Sequence, residues 1–441
     1  MKPMKITLIY PAIGNYNDEA CMEPLPLGAL AGLTPPGVEV VLYDDRLEPI
    51  PFDEPTDLVA ITVQIFTARR AYEISAQYRQ RGVPVILGGM HPNLVPDEAA
   101  RHADSIYLGD AEALWHQVLQ DVQKGQLQPI YRARPGLPQP ESLTRRDLYK
   151  GKKYLPISLM QFGRGCKFEC YFCATSAYFN KTHYYRCIEQ VLREIESQER
   201  KQIFFVDDNI LANFDAAKEL FRALIPLKIH WVSQASIDMT QDRELMSLMA
   251  QSGCLGHVVG FESITPESLK TMQKAPNLKG GFESYQPQLE ILRDYGLQTW
   301  AAFTLGHDHD TLASIQSTLD FALENKFTFA AFNILLPYPG TKLYQRLQAE
   351  NRLLFDGKWW LHPDYRFNHA AFQPKTMSAD ELTQAAFHAR KVFNSLGSIF
   401  QRVWDFKTNL RNPYRLGAYL AYNPLFRKET FKKQGLKLGT K

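Results

Sequence analysis

Cysteine is scarce in this chain, with six residues in 441. Six cysteines over this length do not form a disulfide framework, so we expect a reducing cytoplasm, where clustered cysteines serve metal binding or catalysis more often than crosslinks. No apolar run approaches the ~20 residues that a membrane span needs, and the opening residues MKPMKITLIYPA carry no secretory signal pattern. The net charge of +3 is close to neutral, so no nucleic-acid partner is expected.

What the chain does contain is a large share of apolar and aromatic side chains. Hydrophobic residues make up 45%, aromatic residues 12% and charged residues 22% of the sequence, a composition typical of folded globular proteins. A chain of this length exceeds what one core organises, so we expect two or three domains.

The N-terminal third alternates short apolar runs with helix-like segments. Because buried parallel strands and covering helices follow each other in this way, the pattern predicts a doubly wound, Rossmann-like α/β domain. The predicted strands are ITLIYP (6–11), VEVVLYDD (38–45), LVAITVQ (58–64), VPVILGG (83–89) and SIYLGD (105–110).

The same alternation returns after a proline-rich stretch. Six β/α units follow, and because eight would close a complete barrel, they predict an open, partial (β/α)6 barrel. The predicted strands are YLPISLMQFG (154–163), QIFFVDD (202–208), KIHWVSQAS (228–236), GHVVGFES (256–263), TWAAFTLG (299–306) and FTFAAFNILLP (327–337).

Beyond the last predicted strand the chain is helical. The segment SADELTQAAFHARKVFNSL (378–396) is predicted to be an amphipathic helix that opens with a Ser-x-x-Glu capping box. The sequence thus predicts four regions, an α/β domain at 1–135, a linker at 136–153, the partial barrel at 154–355 and a helical, basic C-terminal region at 356–441.

Three of the six cysteines fall in one short stretch, GRGCKFECYFC (163–173). Cys166, Cys170 and Cys173 have the spacing C-x3-C-x2-C. A zinc site would need a fourth ligand, for which His183 and Cys187 are the nearest candidates. A CxxC redox pair would leave one cysteine without a role, and the glycine and charged neighbours do not favour core packing. An iron–sulfur cluster held by three thiolates, with one iron open, fits the pattern best.

The cysteine loop also follows the first predicted barrel strand, at the end where parallel β/α barrels build their sites. A C-x3-C-x-aromatic-C loop in this position resembles the radical S-adenosylmethionine (SAM) enzymes. The resemblance implies a [4Fe-4S] cluster on the three cysteines, whose open iron binds SAM and whose electron cleaves it to a 5′-deoxyadenosyl radical. It also implies that Phe172 packs near the adenine and that Asp207 and Asp208, after the second strand, accept the SAM amino group. A helix cap is the alternative for the two aspartates.

Polar residues at later strand ends are assigned to the same pocket. Gln234 and Ser236 on the third strand and Glu262 on the fourth are predicted to face SAM, and filling of the barrel interior is the alternative for each. His307 and His309, in GHDHD after the fifth strand, have a spacing that suggests a pair of metal ligands. The resemblance to radical SAM enzymes does not require a metal there.

The N-terminal domain, placed ahead of such a barrel, resembles the cobalamin-binding domain of cobalamin-dependent radical SAM enzymes. The resemblance rests on the ends of the third and fourth strands and on GGMHPNLVPDEAARHADSIYLGDAE (88–112). It implies that cobalamin lies against Thr62, Gln64, Gly88, Gly89 and His91. The Asp-x-His-x-x-Gly of many cobalamin proteins is missing after the first strand, so either the cobalt lacks a His ligand or the domain has lost its cofactor. A nucleotide-binding Rossmann domain is the other alternative, without a G-x-G-x-x-G to support it.

The C-terminal segment 399–441 contains ten Lys/Arg against two Asp/Glu, interleaved with aromatic residues. One interpretation is peripheral contact with the inner face of a membrane, or with a lipid substrate, because basic and aromatic side chains suit the headgroup region. The other is a docking helix with a solvated basic face.

The resemblance extends to the branch that holds the anaerobic magnesium-protoporphyrin cyclase and the hopanoid and bacteriochlorophyll methylases. We therefore expect a cobalamin-dependent radical SAM C-methyltransferase whose substrate is a small molecule such as a lipid or tetrapyrrole. The family also implies an electron donor such as flavodoxin or ferredoxin. The alternatives are a cobalamin-assisted radical oxidation or cyclisation, and a non-catalytic iron–sulfur or cobalamin-binding regulator. The sequence identifies no catalytic acid or base.

Overall fold

The computed structural model describes residues 3–16, 18–134, 142–278 and 281–439. The described chain forms two compact units. The first contains the residues up to Leu155 together with Lys358–Phe367 and 436–439, and the second contains Pro156–Gly357 and Asn368–Gly435. The part of the predicted linker at 136–141 lies outside the described residues.

The first unit is built on one six-stranded sheet. All of its strands are parallel, in the order β2-β1-β3-β4-β5-β6. The strands are β1 (Lys5–Tyr10), β2 (Glu39–Asp44), β3 (Leu58–Thr62), β4 (Val85–Gly88), β5 (Ser105–Leu108) and β6 (Ile130–Arg132). The helices are α1 (Leu25–Leu33), α2 (Ala68–Gln80), α3 (Met90–Leu94), α4 (Pro96–Ala99) and α5 (Trp115–Gln123).

The strand order of this sheet reverses between β1 and β3, so the chain winds outwards in both directions from this pair. Such a reversal marks a doubly wound sheet, in which ligands bind beyond the carboxyl ends of the strands at the switch point. Strand β3 is buried along its whole length, as expected where helices cover both faces. The edge strand β6 is not predicted by the sequence pattern, because only its middle residue, Tyr131, is buried.

The second unit contains another parallel sheet of six strands, which follow one another in chain order, β7-β10-β11-β12-β13-β14. A short antiparallel pair, β8 with β9, stands beside it. The strands are β7 (Ser158–Met160), β8 (Gly163–Gly165), β9 (His183–Tyr185), β10 (Gln202–Phe205), β11 (His230–Ala235), β12 (Cys254–Glu262), β13 (Gln298–Leu305) and β14 (Phe329–Ile334).

Helices join each strand of this sheet to the next. They are α6 (Ala174–Phe179), α7 (Ile188–Glu196), α8 (Phe214–Leu224), α9 (Arg243–Gln251), α10 (Pro266–Met272), α11 (Ala275–Leu278), α12 (Tyr285–Asp294) and α13 (Leu312–Glu324), with α14 (Lys342–Ala349) after the last strand. Large aromatic side chains such as Trp231, Phe261 and Phe303, each 0% exposed, fill the core between sheet and helices. An open sheet of six sequential β/α units is the predicted partial barrel, and the predicted fold class is confirmed.

Three further helices complete the second unit. They are α15 (Ala379–Phe393), α16 (Leu396–Val403) and α17 (Pro413–Lys433). The predicted capping box opens α15, since the hydroxyl of Ser378 accepts the N–H of Glu381 (3.1 Å) and the Glu381 carboxylate accepts the N–H of Ser378 (2.7 Å). From α15, Arg390 Nε donates to the carbonyl oxygen of Phe332 in the edge strand β14 (2.9 Å).

Buried arginines tie the last two helices to the amino-terminal ends of the strands. Arg402 of α16 is 1% exposed and donates to the carbonyl oxygens of Phe327 (2.6 Å) and Thr328 (3.1 Å), which precede β14. Arg415 of α17 donates to the carbonyl oxygen of Leu255 at the start of β12 (2.7 Å). These helices therefore pack at the end of the sheet opposite to the strands' carboxyl ends. No helix within the described ranges is long and apolar enough to cross a membrane.

Candidate functional site

The three clustered cysteines lie on the loop between β8 and α6, just beyond the first strand of the second sheet. Gly165 has a φ of +84°, and a Cβ there would overlap the carbonyl oxygen of Thr182, which precedes β9. Only glycine lets the β8–β9 pair close this tightly next to Cys166. Further along, the N–H of Cys173 donates to the carbonyl oxygen of Cys170 (3.0 Å) and α6 begins. The loop is thus fixed at the carboxyl end of the sheet.

The three thiols share a partly buried environment and influence one another electrostatically. Burial, together with the neighbouring thiols of Cys173 and Cys166, raises the pKa of Cys170 to about 12, and the charge of Lys274 opposes the rise. Burial also raises the pKa of Cys166, with Cys173 and Asp208 adding to it. Since the thiolate is the form that binds metal, this environment disfavours free thiolates and favours their neutralisation by bound metal.

The donor set fits an iron–sulfur cluster better than a single metal ion. Thiolates are the preferred ligands of such clusters, in which each thiolate binds a different iron. Across the described ranges, no three His, Cys, Asp or Glu side chains converge closely enough to hold one ion. Cys187, a candidate fourth ligand, is exposed, and Cys254 is buried at the start of β12. The three clustered cysteines remain the predicted cluster ligands.

Asp207 contacts the backbone that leads into the cysteine loop. It is 1% exposed, and its two carboxylate oxygens accept the backbone N–H groups of Phe162 (3.1 Å) and Gly163. Burial raises the pKa of Asp207 to about 7 in spite of these two hydrogen bonds. Its geometry is that of a positioning residue for the backbone that enters the loop, and contact with SAM stays a prediction.

Asp208 is the exposed member of the aspartate pair. Its carboxylate accepts the backbone N–H of Gly165 (2.9 Å) and the hydroxyl of Thr175 in α6 (2.9 Å). It therefore joins the two ends of the cysteine loop. It does not cap the following helix, because Asn213 caps α8 by accepting the N–H of Ala216.

The next strand end carries Gln234 and Ser236. Gln234 is half-buried, and its side-chain amide lies 3.4 Å from the carbonyl oxygen of Asp207. Ser236 is 8% exposed and accepts a hydrogen bond from the side chain of Asn209 (3.2 Å). Gln234 thus lies beside the loop-positioning aspartate and Ser236 contacts Asn209, and contact of either side chain with SAM stays a prediction.

Glu262 ends strand β12 with a left-handed backbone, at a φ of +64° and next to an irregularity in the pairing with β13. This conformation costs a residue other than glycine roughly 1–3 kcal/mol, so it persists only where surrounding contacts fix it. Here the carboxylate forms an ion pair with Lys274 and accepts the hydroxyl of Thr304 (2.6 Å). Strain of this kind is common at functional sites.

Lys274 is the site residue that the sequence patterns do not identify. It lies between α10 and α11, outside any motif, and donates to the carbonyl oxygen of Gly260 (2.8 Å). Burial opposes its charge, but Glu262 and the thiols of Cys170 and Cys173 outweigh burial and raise the pKa of Lys274. The Lys274 ammonium therefore forms an ion pair with Glu262 and also interacts electrostatically with the nearby cysteine thiols.

Phe172 and His307 form the aromatic wall next to the cysteine loop. The ring of Phe172 is half-buried, and its centroid is 6.2 Å from that of His307. His307 is 1% exposed, its Nδ1 lies 3.2 Å from the hydroxyl of Tyr171, and its Nε2 has no hydrogen-bond partner among the described residues. Burial lowers the pKa of His307, which favours the neutral ring. His309 is exposed, so the two histidines face different surroundings rather than one metal.

In the first unit, the predicted cobalamin residues lie at the carboxyl ends of β3 and β4. Gly89 has a φ of +94°, and a Cβ there would lie 2.9 Å from the backbone N and O of Val63. A Cβ on Gly88 would meet nothing closer than 3.8 Å. Thr62 is buried and Gln64 is exposed. This edge therefore presents open backbone with few side chains.

His91, predicted for the same site, is enclosed within the first unit. It is 0% exposed, and its Nε2 lies 3.0 Å from the hydroxyl of Tyr72 and 3.3 Å from the Glu98 carboxylate. The Trp360 indole N–H donates to the same carboxylate (2.8 Å). Although burial opposes it, the hydrogen bonds from His91 and Trp360 lower the pKa of Glu98 to about 2. The ring thus belongs to an interior hydrogen-bond network.

Comparison with known proteins places the cysteine loop in a family. Residues 160–322 match the model of the radical SAM superfamily. Two methyltransferases of Chlorobaculum tepidum are each 30% identical to this chain. The bacteriochlorophyllide d C-12(1)-methyltransferase aligns over 83% of this chain and 81% of its own length, and the C-8(2)-methyltransferase over 87% and 92%. The chain belongs to the radical SAM superfamily.

The predicted resemblance is therefore confirmed, and the protein is a radical SAM enzyme with a [4Fe-4S] cluster and SAM as cofactors. The cluster cysteines, Asp207, Glu262 and Lys274 all lie within the matched residues. Among solved structures, the cobalamin-dependent radical SAM enzyme OxsB has a TM-score of 0.68 at 14% identity, covering 97% of this chain and 71% of its own. That likeness shows a shared fold for both units.

Proposed function

We propose that this radical SAM enzyme is a cobalamin-dependent C-methyltransferase that acts on a small hydrophobic molecule. The observation that carries the proposal is the group of three electrostatically coupled thiols at the carboxyl end of the second sheet. Support for methyl transfer comes from the two relatives at 30% identity, whose names give bacteriochlorophyllide d as their substrate. A tetrapyrrole or another apolar ring system is therefore the substrate class to test first.

The second unit would hold the cluster and SAM. When bound, the cluster supplies the electron that cleaves SAM, and cobalamin supplies a carrier for the methyl group. Cys166, Cys170 and Cys173 would ligate the irons. Glu262 and Lys274 offer a carboxylate and an ammonium side by side, which complement the charges of an amino-acid moiety such as that of SAM. Their ion pair also keeps the strained strand end in place before the ligand arrives.

The first unit would hold cobalamin against backbone rather than against a histidine. The open space at Gly88 and the left-handed turn at Gly89 allow a broad, flat ligand to approach the strand ends. His91 is engaged by Tyr72 and Glu98, so the proposal includes no histidine ligand below the cobalt. OxsB, which has the same fold at low identity, is described with aqua-cobalamin and SAM bound.

The test is anaerobic turnover with labelled SAM. The full chain is reconstituted with iron, sulfide and hydroxocobalamin, then mixed with dithionite, CD3-labelled SAM and bacteriochlorophyllide d. We expect 5′-deoxyadenosine and a product heavier by one CD3 group, both detected by mass spectrometry. A hopanoid serves as the second substrate, because it is apolar but lacks the tetrapyrrole ring.

Three other outcomes separate the alternatives. 5′-Deoxyadenosine with an oxidised or cyclised but unlabelled product would replace methyl transfer by a radical oxidation. Labelled product without any requirement for hydroxocobalamin would remove cobalamin from the proposal. If no 5′-deoxyadenosine forms with either substrate while iron and cobalamin remain bound, the proposed methyl transfer to these substrates fails and a regulatory role is favoured.

A further inference from the structure

Among the described residues, the three most exposed large apolar side chains lie on helix α16 or just after it, together with Trp404. Phe406 is 73% exposed, Leu396 67%, Phe400 65% and Trp404 49%. The ring of Trp404 contacts the rings of Phe400 and Phe406, with centroids 5.9 Å and 6.3 Å apart. We name these four residues the apolar ridge. Scattered surface apolar residues need no explanation, but a contiguous group usually marks an interaction site.

The ridge belongs to a helix that is already docked. Leu396 and Phe400 lie four positions apart and therefore on one face of α16, and Trp404 follows directly after the last helical residue. On the other side, Ile399 and Val403 are buried against Tyr419 of α17. Arg402 further anchors the helix to the backbone before β14. The exposed face is therefore a fixed feature of the fold.

The ridge lies in a basic part of the chain. Residues 396–433 contain eight Lys/Arg and two Asp/Glu, whereas the whole chain is only +3, so the remainder is net acidic. Beside the ridge, Lys407 pairs with Asp294 (2.5 Å), Asp405 pairs with Arg293 (3.3 Å), and Arg411 is exposed. Two of the eight cations, Arg402 and Arg415, are buried, so the exposed positive charge next to the ridge comes from Lys407 and Arg411.

We infer that the apolar ridge binds the surface of an anionic lipid bilayer. Aromatic side chains settle at the boundary between headgroups and acyl chains, and neighbouring Lys and Arg are attracted to acidic headgroups. Basic charge beside exposed aromatics meets both requirements. A second copy of this chain is a poorer occupant, because a symmetric contact would bring two basic segments together.

The position of the ridge assigns it an anchoring role. Helix α16 packs at the amino-terminal ends of the strands of the second sheet, and the cysteine loop stands at their carboxyl ends. The ridge is therefore separate from the cluster site, and the interpretation of this segment as a lipid-substrate contact does not fit. The inference does not depend on the proposed methyl transfer, since vesicle binding is measured without turnover.

The experiment is vesicle co-sedimentation of the full chain. Vesicles of phosphatidylcholine with phosphatidylglycerol at a 7:3 ratio test binding, and pure phosphatidylcholine vesicles test its charge dependence. We expect the double variant Phe400→Ser/Phe406→Ser to bind the anionic vesicles at least ~10-fold less than the wild type. The matched control Leu312→Ser, an exposed leucine on α13, should bind as the wild type does. Unchanged melting temperatures establish that both variants are folded.

Two results would overturn the inference. One is an absence of wild-type binding to the anionic vesicles. The other is unchanged vesicle binding by Phe400→Ser/Phe406→Ser. If that variant also shifts from dimer to monomer in size-exclusion chromatography, the ridge is an interface between copies of this chain. Equal binding to both kinds of vesicle would remove the electrostatic part of the proposal.

Discussion

The two sheets of this protein are both parallel and six-stranded, but their carboxyl edges carry different chemistry. The second sheet presents titratable side chains there, namely the cluster thiols, Asp208 and the pair Glu262–Lys274. The first sheet presents backbone at Gly88 and Gly89. This difference agrees with the proposal that the second edge ligates the cluster and places charge, and that the first lets a large ligand approach the backbone closely.

Strand order reinforces this contrast. In the second sheet, the strands follow chain order, so each successive strand adds its end to one continuous edge. In the first sheet, the order reverses between β1 and β3, and the ligand cleft is expected at that reversal. The same alternation of strands and helices in the sequence therefore yields two sheets of different strand order.

The largest expected effect comes from the cluster cysteines. Cys170→Ala removes one of the three proposed ligands, so we expect iron binding to fail and 5′-deoxyadenosine formation to fall at least ~1,000-fold. Iron content, the visible spectrum and product analysis check this outcome. Cys187→Ala is the matched control, because Cys187 is exposed and should leave iron content unchanged. Loss of iron in the control would mean that the cluster has a fourth protein ligand.

A pH-dependent effect on stability is expected for Asp207. The pKa of Asp207 in the folded protein is about 7, above its ordinary value of 3.8. Between these two pH values the folded state therefore holds a proton that the unfolded state has lost. The stability linked to this group is present at low pH and disappears as the pH rises through 7. Between pH 5 and 8 the free energy of unfolding of the wild type should fall by about 3 kcal/mol more than that of Asp207→Asn. Urea unfolding of both proteins at both pH values measures this difference. An equal change in unfolding free energy for the two proteins would contradict the prediction.

A smaller loss is expected at the strained strand end. Glu262→Gln removes the ion pair with Lys274 but keeps an acceptor for Thr304, so SAM affinity should weaken by roughly 10- to 100-fold, as for a lost buried charge pair. Equilibrium binding of SAM to the reconstituted enzyme is the measurement. Thr304→Val, which keeps the ion pair, should weaken the affinity for SAM by less than about fivefold. The assignment fails if Lys274→Met binds SAM as tightly as the wild type.

The smallest effects separate two adjacent glycines of the first unit. Gly89→Ala forces a Cβ against Val63 in a left-handed conformation and should cost about 1–3 kcal/mol of unfolding free energy. Gly88→Ala has room for its methyl group and should change stability by less than about 1 kcal/mol. If Gly88 faces cobalamin, its variant should nevertheless bind hydroxocobalamin more weakly. Equal melting temperatures for the two variants would show that Gly89 is not constrained.

Much of the fold was open to prediction because most of its strands are apolar and alternate with amphipathic helices. Strands β10 and β13 lie close to their predicted positions. The pairing of β8 with β9 was not predictable, since three-residue strands rich in glycine and polar residues carry no periodic signal. The order of the first sheet likewise depends on which strands pair, which apolar patterns do not specify.

The sequence predicts the cluster ligands, which stay a prediction, but it does not predict the electrostatics of the site. The cysteine spacing is local in sequence, so it could be read directly. Lys274 reaches Glu262 from a separate segment, and no pattern links the two positions. The sequence also does not reveal that the carboxylate oxygens of Asp207 accept two backbone N–H groups, a contact that the structure adds to the predicted one with SAM.

The hydrogen bond from Arg390 to the carbonyl oxygen of Phe332 has a consequence for the edge strand β14. An open parallel sheet leaves its last strand with unpaired backbone groups, which template association with other chains. Helix α15, lying along that strand, blocks such association. A chain shortened to end after α14 would therefore expose β14 and form insoluble aggregates, even though every cluster ligand is retained.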